Sequence, residues 1–198
     1  MNATDSSAGP MRVFAGLRIA PEISHTLAQD ARVLEQSAVR LVAPADIHLT
    51  LVPPWNETSI QDVAVRLQTV AEGFCPLSLT FTRLGYGPRP ERPRLLWAEC
   101  AGTDEISTLR KALLETCGQS DERPFRPHVT LARIRGNGTA IARRHPIERI
   151  LSLTQEVTSI ELFKSPPAGE RGYQILASLP LSAVRVGQGN RAKHDVTN

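Results

Sequence analysis

The stretch DIHLTLV, Asp46–Val52, alternates between two kinds of side chain. In an extended strand successive side chains point to opposite faces. Ile47, Leu49 and Leu51 therefore share one face, and His48 and Thr50 the other. Eighty residues on, RPHVTLA (Arg126–Ala132) repeats the pattern, with His128 and Thr130 opposite Val129 and Leu131. The chain has five histidines, and His25, His145 and His194 lack the threonine two places on.

The surroundings repeat too. RVFAGL (12–17), then a helix opening PEIS, then HLTL make the first copy. RLLWAE (94–99), then a helix opening DEIS, then HVTL make the second. Shared order, a shared Glu-Ile-Ser and a shared His-x-Thr-Leu together favour duplication over chance. Two copies are too few for a solenoid. They predict an α+β fold of two lobes related by a pseudo-twofold axis, each an antiparallel sheet with helices outside and the site between them. Apolar residues pack under helices, and the two His-Thr pairs meet in one cleft.

Outward from the motifs, strands are expected at Arg12–Leu17, Leu41–Val42 and Ile47–Val52, with Pro53-Pro54 stopping the third. Further strands are expected at Leu77–Leu84, Leu95–Cys100, His128–Ile134, Leu151–Phe163 and Tyr173–Leu179. Helices follow Pro21 (Glu22–Leu34), Asn56 as cap (Thr58–Glu72), and span Asp104–Cys117. Gly85-Tyr86-Gly87 reads as a turn and is too short for a dinucleotide fingerprint. Residues 1–10 read as a loose leader, 11–181 as the bilobal domain, and 182–198 as a tail, loose from Gly187.

Composition bounds the class. The chain has 198 residues, 41% hydrophobic and 22% charged, with net charge +3. Cys75, Cys100 and Cys117 form no zinc spacing and read as reduced thiols. There is no signal-peptide pattern and no membrane-length apolar run. A monomeric, cytoplasmic protein without membrane attachment is expected.

Two imidazoles titrating near neutrality supply an acid and a base. Two threonine hydroxyls can hold an anion's oxygens. Together they suit phosphoryl transfer from a diester, which needs chiefly positioning and charge stabilisation. Two histidines also suit zinc, but a catalytic zinc takes three protein ligands and no third stands at convincing spacing. No metal or cofactor is expected, and a strained cyclic phosphate is the diester such a site opens most readily.

At these residues the chain resembles the two-histidine phosphoesterases, and within them the RNA 2′,3′-cyclic phosphodiesterases, or 2′-5′ RNA ligases. RVFAGLRIAPEI, DIHLTL, RPRLLWAE, RPFRPHVTLAR and LFKSPPAGERGYQILASLPL carry the resemblance. It implies metal-independent hydrolysis of 2′,3′-cyclic phosphate ends of RNA or nucleotides to 2′-phosphomonoesters, with weak reverse 2′-5′ ligation. It implies His48 as general acid, His128 as the base activating water, and Thr50, Thr130 and Arg133 on the phosphate. The residues alone leave the two histidine roles open. Strict alternation turns Arg133 away from His128, so Arg133 needs a bulge or strand end to reach the site; otherwise it is a surface arginine.

Other readings stay open. The fold also suits a nucleotide- or RNA-binding module without turnover, or an enzyme for 2′-5′ oligonucleotides or cyclic sugar phosphates. Val52-Pro53-Pro54-Trp55 departs from the Phe-Leu-Gly that often follows the family's first motif, which bears on substrate choice. Trp55 either stacks on a base or packs on the next helix. Residues 133–149, with five arginines and one glutamate, read as an exposed basic loop that contacts RNA or is simply solvated.

Overall fold

A short apolar run decides the centre of the sheet. In β1 (Met11–Arg18) every residue from Val13 to Leu17 is buried, as in a strand covered on both faces. The computed structural model describes residues 9–167 and 170–183. The expected leader and tail therefore lie almost wholly outside the described residues.

After β1 come α1 (Pro21–Ala31), β2 (Val39–Leu41), β3 (His48–Glu57) and α2 (Ile60–Glu72). The second half runs β4 (Leu77–Gly87), β5 (Leu95–Cys100), α3 (Asp104–Thr116), β6 (His128–Ile134) and α4 (Gly138–Arg144). β7 (Arg149–Val157), β8 (Ser159–Lys164) and β9 (Gln174–Pro180) close it. All the pairings are antiparallel, in the order β7-β4-β5-β6-β3-β1-β8-β9, with β2 added on β6.

That order is a palindrome about the β6–β3 contact. β5 lies beside β6 as β1 lies beside β3, and β4 and β7 mirror β8 and β9. The two lobes of the duplicated fold are thus halves of one nine-stranded sheet. They join where Leu49 pairs with Val129. Each motif's central apolar residue therefore makes the seam.

The helices cover the apolar face. Ile23, Leu27 and Ala31 of α1 are buried at four-residue spacing, as are Val63, Leu67 and Ala71 of α2. Ile106, Leu109 and Leu113 of α3 are buried at three- and four-residue spacing. α1 packs against β6 and α3 against β3, so each reaches the seam from the opposite lobe. Thr103 Oγ1 accepts a hydrogen bond from the Ile106 amide at 3.3 Å and caps α3, a contact of about 1 kcal/mol.

Several local expectations are corrected. β3 runs through Pro53-Pro54 to Glu57. Between the pairs Val13–Trp55 and Ala15–Val52, β3 spends one residue more than β1, so the prolines occupy a bulge where no amide is required. Asn56 is consequently in the strand, and Ser59 caps α2 by accepting from the Asp62 amide. Leu151–Phe163 is two strands divided at Thr158, β7 at one edge of the sheet and β8 beside β1 in the other lobe. The apolar alternation changes phase there, from Leu151, Leu153 and Val157 to Ile160 and Leu162. Gly85-Tyr86-Gly87 ends β4 instead of turning. A Cβ at Gly87 would lie 2.2 Å from the Trp97 indole, so glycine is what lets that ring lie flat there. The basic segment contains α4, capped by Asn137.

Candidate active site

β3 and β6 carry the two motifs side by side. Extending the antiparallel register one residue each way from Leu49–Val129 sets His48 across from Thr130 and Thr50 across from His128. Side chains so placed stand roughly 5 Å apart at Cβ. Leu49, Leu51, Val129 and Leu131 are fully buried on the other face. The structure thus brings all four predicted motif residues together.

The two histidines are held alike. His48 Nδ1 lies 2.7 Å from the Asp46 carbonyl oxygen, and His128 Nδ1 lies 2.7 Å from the Arg126 carbonyl oxygen. A carbonyl only accepts, so each Nδ1 carries the proton and each Nε2 is left to the cleft. Aromatic rings fix both planes. Phe14 lies 4.7 Å from the His48 ring, and Trp97 lies 4.3 Å from that of His128. Trp97 Nε1 in turn donates to Glu99 Oε1 at 3.1 Å.

Burial keeps both imidazoles neutral. It is the main cause that lowers His48 from 6.5 to about 4; the Arg133 and His128 charges add to it, while the Asp46 carbonyl and carboxylate oppose it. His128 is lowered by burial first, with the Arg126 carbonyl and Glu99 opposing and Arg133 adding. Both would regain a proton more readily beside an anion.

Arg133 reaches the site by the bulge that its position requires. Leu96 pairs with Ala132 but Trp97 pairs with Thr130, so Leu131 is an extra residue on β6. Leu131 and Ala132 are both buried, and Arg133 returns to the histidine face. β3 has the same irregularity at Leu51, between the Ala15–Val52 and Gly16–Thr50 pairs. Counting from the bulges, Pro53 occupies in β3 the place of Arg133 in β6. The duplicated site therefore carries an arginine at this position on one strand only.

A cavity of about 340 Å³ opens beside His48 and Thr50. Arg12, Arg40, Pro54, Arg133, Glu170 and Tyr173 are among the residues that line it. The Tyr173 ring stands edge-on to His48 at 4.9 Å, and its amide donates to Asp46 Oδ1 at 2.9 Å. Asp46 thus fixes His48 through its carbonyl and Tyr173 through its carboxylate. No local pattern marks Arg12, Arg40 or Tyr173 as site residues; sheet register brings in Arg12 and Arg40, and the bond to Asp46 holds Tyr173. Trp55 is buried at 9% exposure, donates to Glu57 Oε2 at 3.3 Å, and serves the core.

Paired His-x-Thr strands at the pseudo-twofold seam of a bilobal α+β sheet define a two-histidine phosphoesterase. The chain belongs to the 2′-5′ RNA ligase superfamily, whose pattern residues 19–165 match. It is 29% identical over 135 residues to an RNA 2′,3′-cyclic phosphodiesterase of Thermotoga maritima, covering 63% of this chain and 71% of that protein. It is 30% identical over 131 residues to the protein so named from Aeropyrum pernix, covering 63% and 69%. Its fold matches E. coli LigT complexed with 3′-AMP with a TM-score of 0.69 at 22% identity, over 88% of this chain and 99% of that one. TT0787 of Thermus thermophilus matches with a TM-score of 0.69 at 20% identity, over 87% and 98%. Among the described residues no helix is long and apolar enough to cross a membrane.

Proposed function

We propose that this protein is a metal-independent RNA 2′,3′-cyclic phosphodiesterase that opens the cyclic phosphate to a 2′-phosphomonoester. The observation that carries the reading is the meeting of two Nδ1-protonated histidines and two threonine hydroxyls beside a nucleotide-sized cavity. The relatives of that name in the same superfamily support it.

The cavity favours one division of labour. It borders His48 and not His128, so the nucleoside lies on the His48 side. In-line displacement puts the leaving oxygen on the nucleoside's side and the attacking water opposite. His48 then donates a proton to the departing 3′ oxygen, and His128 accepts one from water. Water's oxygen bonds to phosphorus as the phosphorus–O3′ bond breaks. Neutral in the empty site, His48 acquires its proton with the anionic substrate, whose charge stabilises the imidazolium. Thr50, Thr130 and Arg133 hold the non-bridging oxygens.

The test is a panel of 2′,3′-cyclic, 3′,5′-cyclic and 2′-5′-linked substrates in EDTA, with products identified by phosphorus NMR. Conversion of the 2′,3′-cyclic substrates to 2′-monophosphates is expected. Tight nucleotide binding with no turnover of any substrate would instead make the protein a binding module.

A further inference from the structure

Arg40 and Arg133 are direct cross-strand partners in the β2–β6 pair. Like charges in that relation repel and cost stability. The arrangement is nonetheless held firmly: the Val42 amide donates to the Leu131 carbonyl at 2.8 Å, and the Arg135 amide donates to the Ala38 carbonyl at 2.9 Å. Both arginines line the cavity, together with Arg12. Among the described residues none of these three arginines forms an ion pair.

The charges exceed what the reacting group needs. Three guanidiniums and the Glu170 carboxylate give the cavity two net positive charges. A cyclic phosphodiester brings one negative charge, which Arg133 and the threonines meet. One positive charge remains, shared by Arg40 and Arg12, in the cavity that takes the nucleoside. The next group on that nucleoside able to balance it is the phosphate at its 5′ position.

We infer that Arg40, assisted by Arg12, binds the phosphate 5′ of the terminal nucleoside, so that the site selects RNA ends over free nucleoside cyclic phosphates. This rests on the cyclic phosphodiesterase reading above. Arg40 is a specificity residue here, acting on a phosphate that does not react. The 5′ phosphate has two sources, a 5′-phosphomonoester on a mononucleotide or the internucleotide diester of a longer chain.

The experiment compares kcat/KM for three substrates: a nucleoside 2′,3′-cyclic phosphate, the same compound phosphorylated at 5′, and a dinucleotide ending in the cyclic phosphate. Each is measured with the wild-type protein, Arg40→Gln and Arg40→Lys at several salt concentrations. The wild type should favour the 5′-substituted substrates by about tenfold or more, the worth of a charge-assisted contact. Which of the two gains more identifies the source. Arg40→Gln should reduce that preference at least fivefold, roughly, and Arg40→Lys should keep most of it. Each lost phosphate contact should also flatten the salt slope by about 0.7. The melting temperature of Arg40→Gln should be unchanged or raised, since a facing charge is removed. No preference in the wild type, or an equal loss on all three substrates in Arg40→Gln, overturns the inference while leaving the cyclic phosphodiesterase reading intact. Turnover of none of the three removes both.

Discussion

Leu49 of β3 pairs with Val129 of β6, and this contact between the apolar faces of the two motifs sets the distance between His48 and His128. Behind it stands Gly16 of β1, opposite Thr50. A Cβ on Gly16 would lie 2.4 Å from the Leu49 carbonyl oxygen, a backbone atom that cannot turn aside. Gly16→Ala must therefore push β3 off β1 at the seam. A loss of about 1–3 kcal/mol in urea unfolding is expected, with a fall in kcat, because the two strands that carry His48 and His128 move relative to each other.

Trp55 decides between a base platform and core. Its burial and its bond to Glu57 place it in the core. Trp55→Ala should cost about 3–5 kcal/mol in unfolding free energy, with Trp55→Phe much milder. The order of preference among substrates with different terminal bases should be the same in Trp55→Phe as in the wild type.

Glu99 acts on one histidine of the two. It raises the pKa of His128 and is absent from the causes acting on His48. Glu99→Gln should therefore move the His128 titration to lower pH and move that of His48 less, only through its coupling to His128. Following the imidazole resonances by NMR against pH checks both halves of the statement.

Stability should itself depend on His48. Its folded pKa, about 4, lies below the ordinary 6.5, so the unfolded chain binds the extra proton between those values. The contribution is fully present above 6.5 and is lost as pH falls toward 4. Between pH 7 and pH 4.5 the loss is on the order of 2–3 kcal/mol. Urea unfolding of wild type and His48→Gln at both pH values should show a smaller drop in the variant by about that amount.

The part of this molecule legible in its sequence is the part governed by short periods. Two-residue alternation placed His48 with Thr50 and His128 with Thr130, and helical spacing found the buried faces of α1 to α3. What depends on pairing between distant strands was not legible. Leu51 and Leu131 look like ordinary members of an alternating run, yet each is a bulge, and the one at Leu131 turns Arg133 into the site. Arg40 enters through the register of a three-residue strand, which no local pattern encodes. Pro53-Pro54 reads as a stop because a proline removes a ladder donor, but a bulge has no use for that donor.

His48 and His128 are proposed to open a 2′,3′-cyclic phosphate together. The most direct test measures turnover of an oligoribonucleotide ending in that group, in EDTA, by wild type, His48→Ala and His128→Ala, with products read by phosphorus NMR. A 2′-phosphomonoester is expected from the wild type and a loss of about 10²–10⁴-fold in each variant, with circular dichroism showing both folded. Full turnover by either folded variant would contradict it.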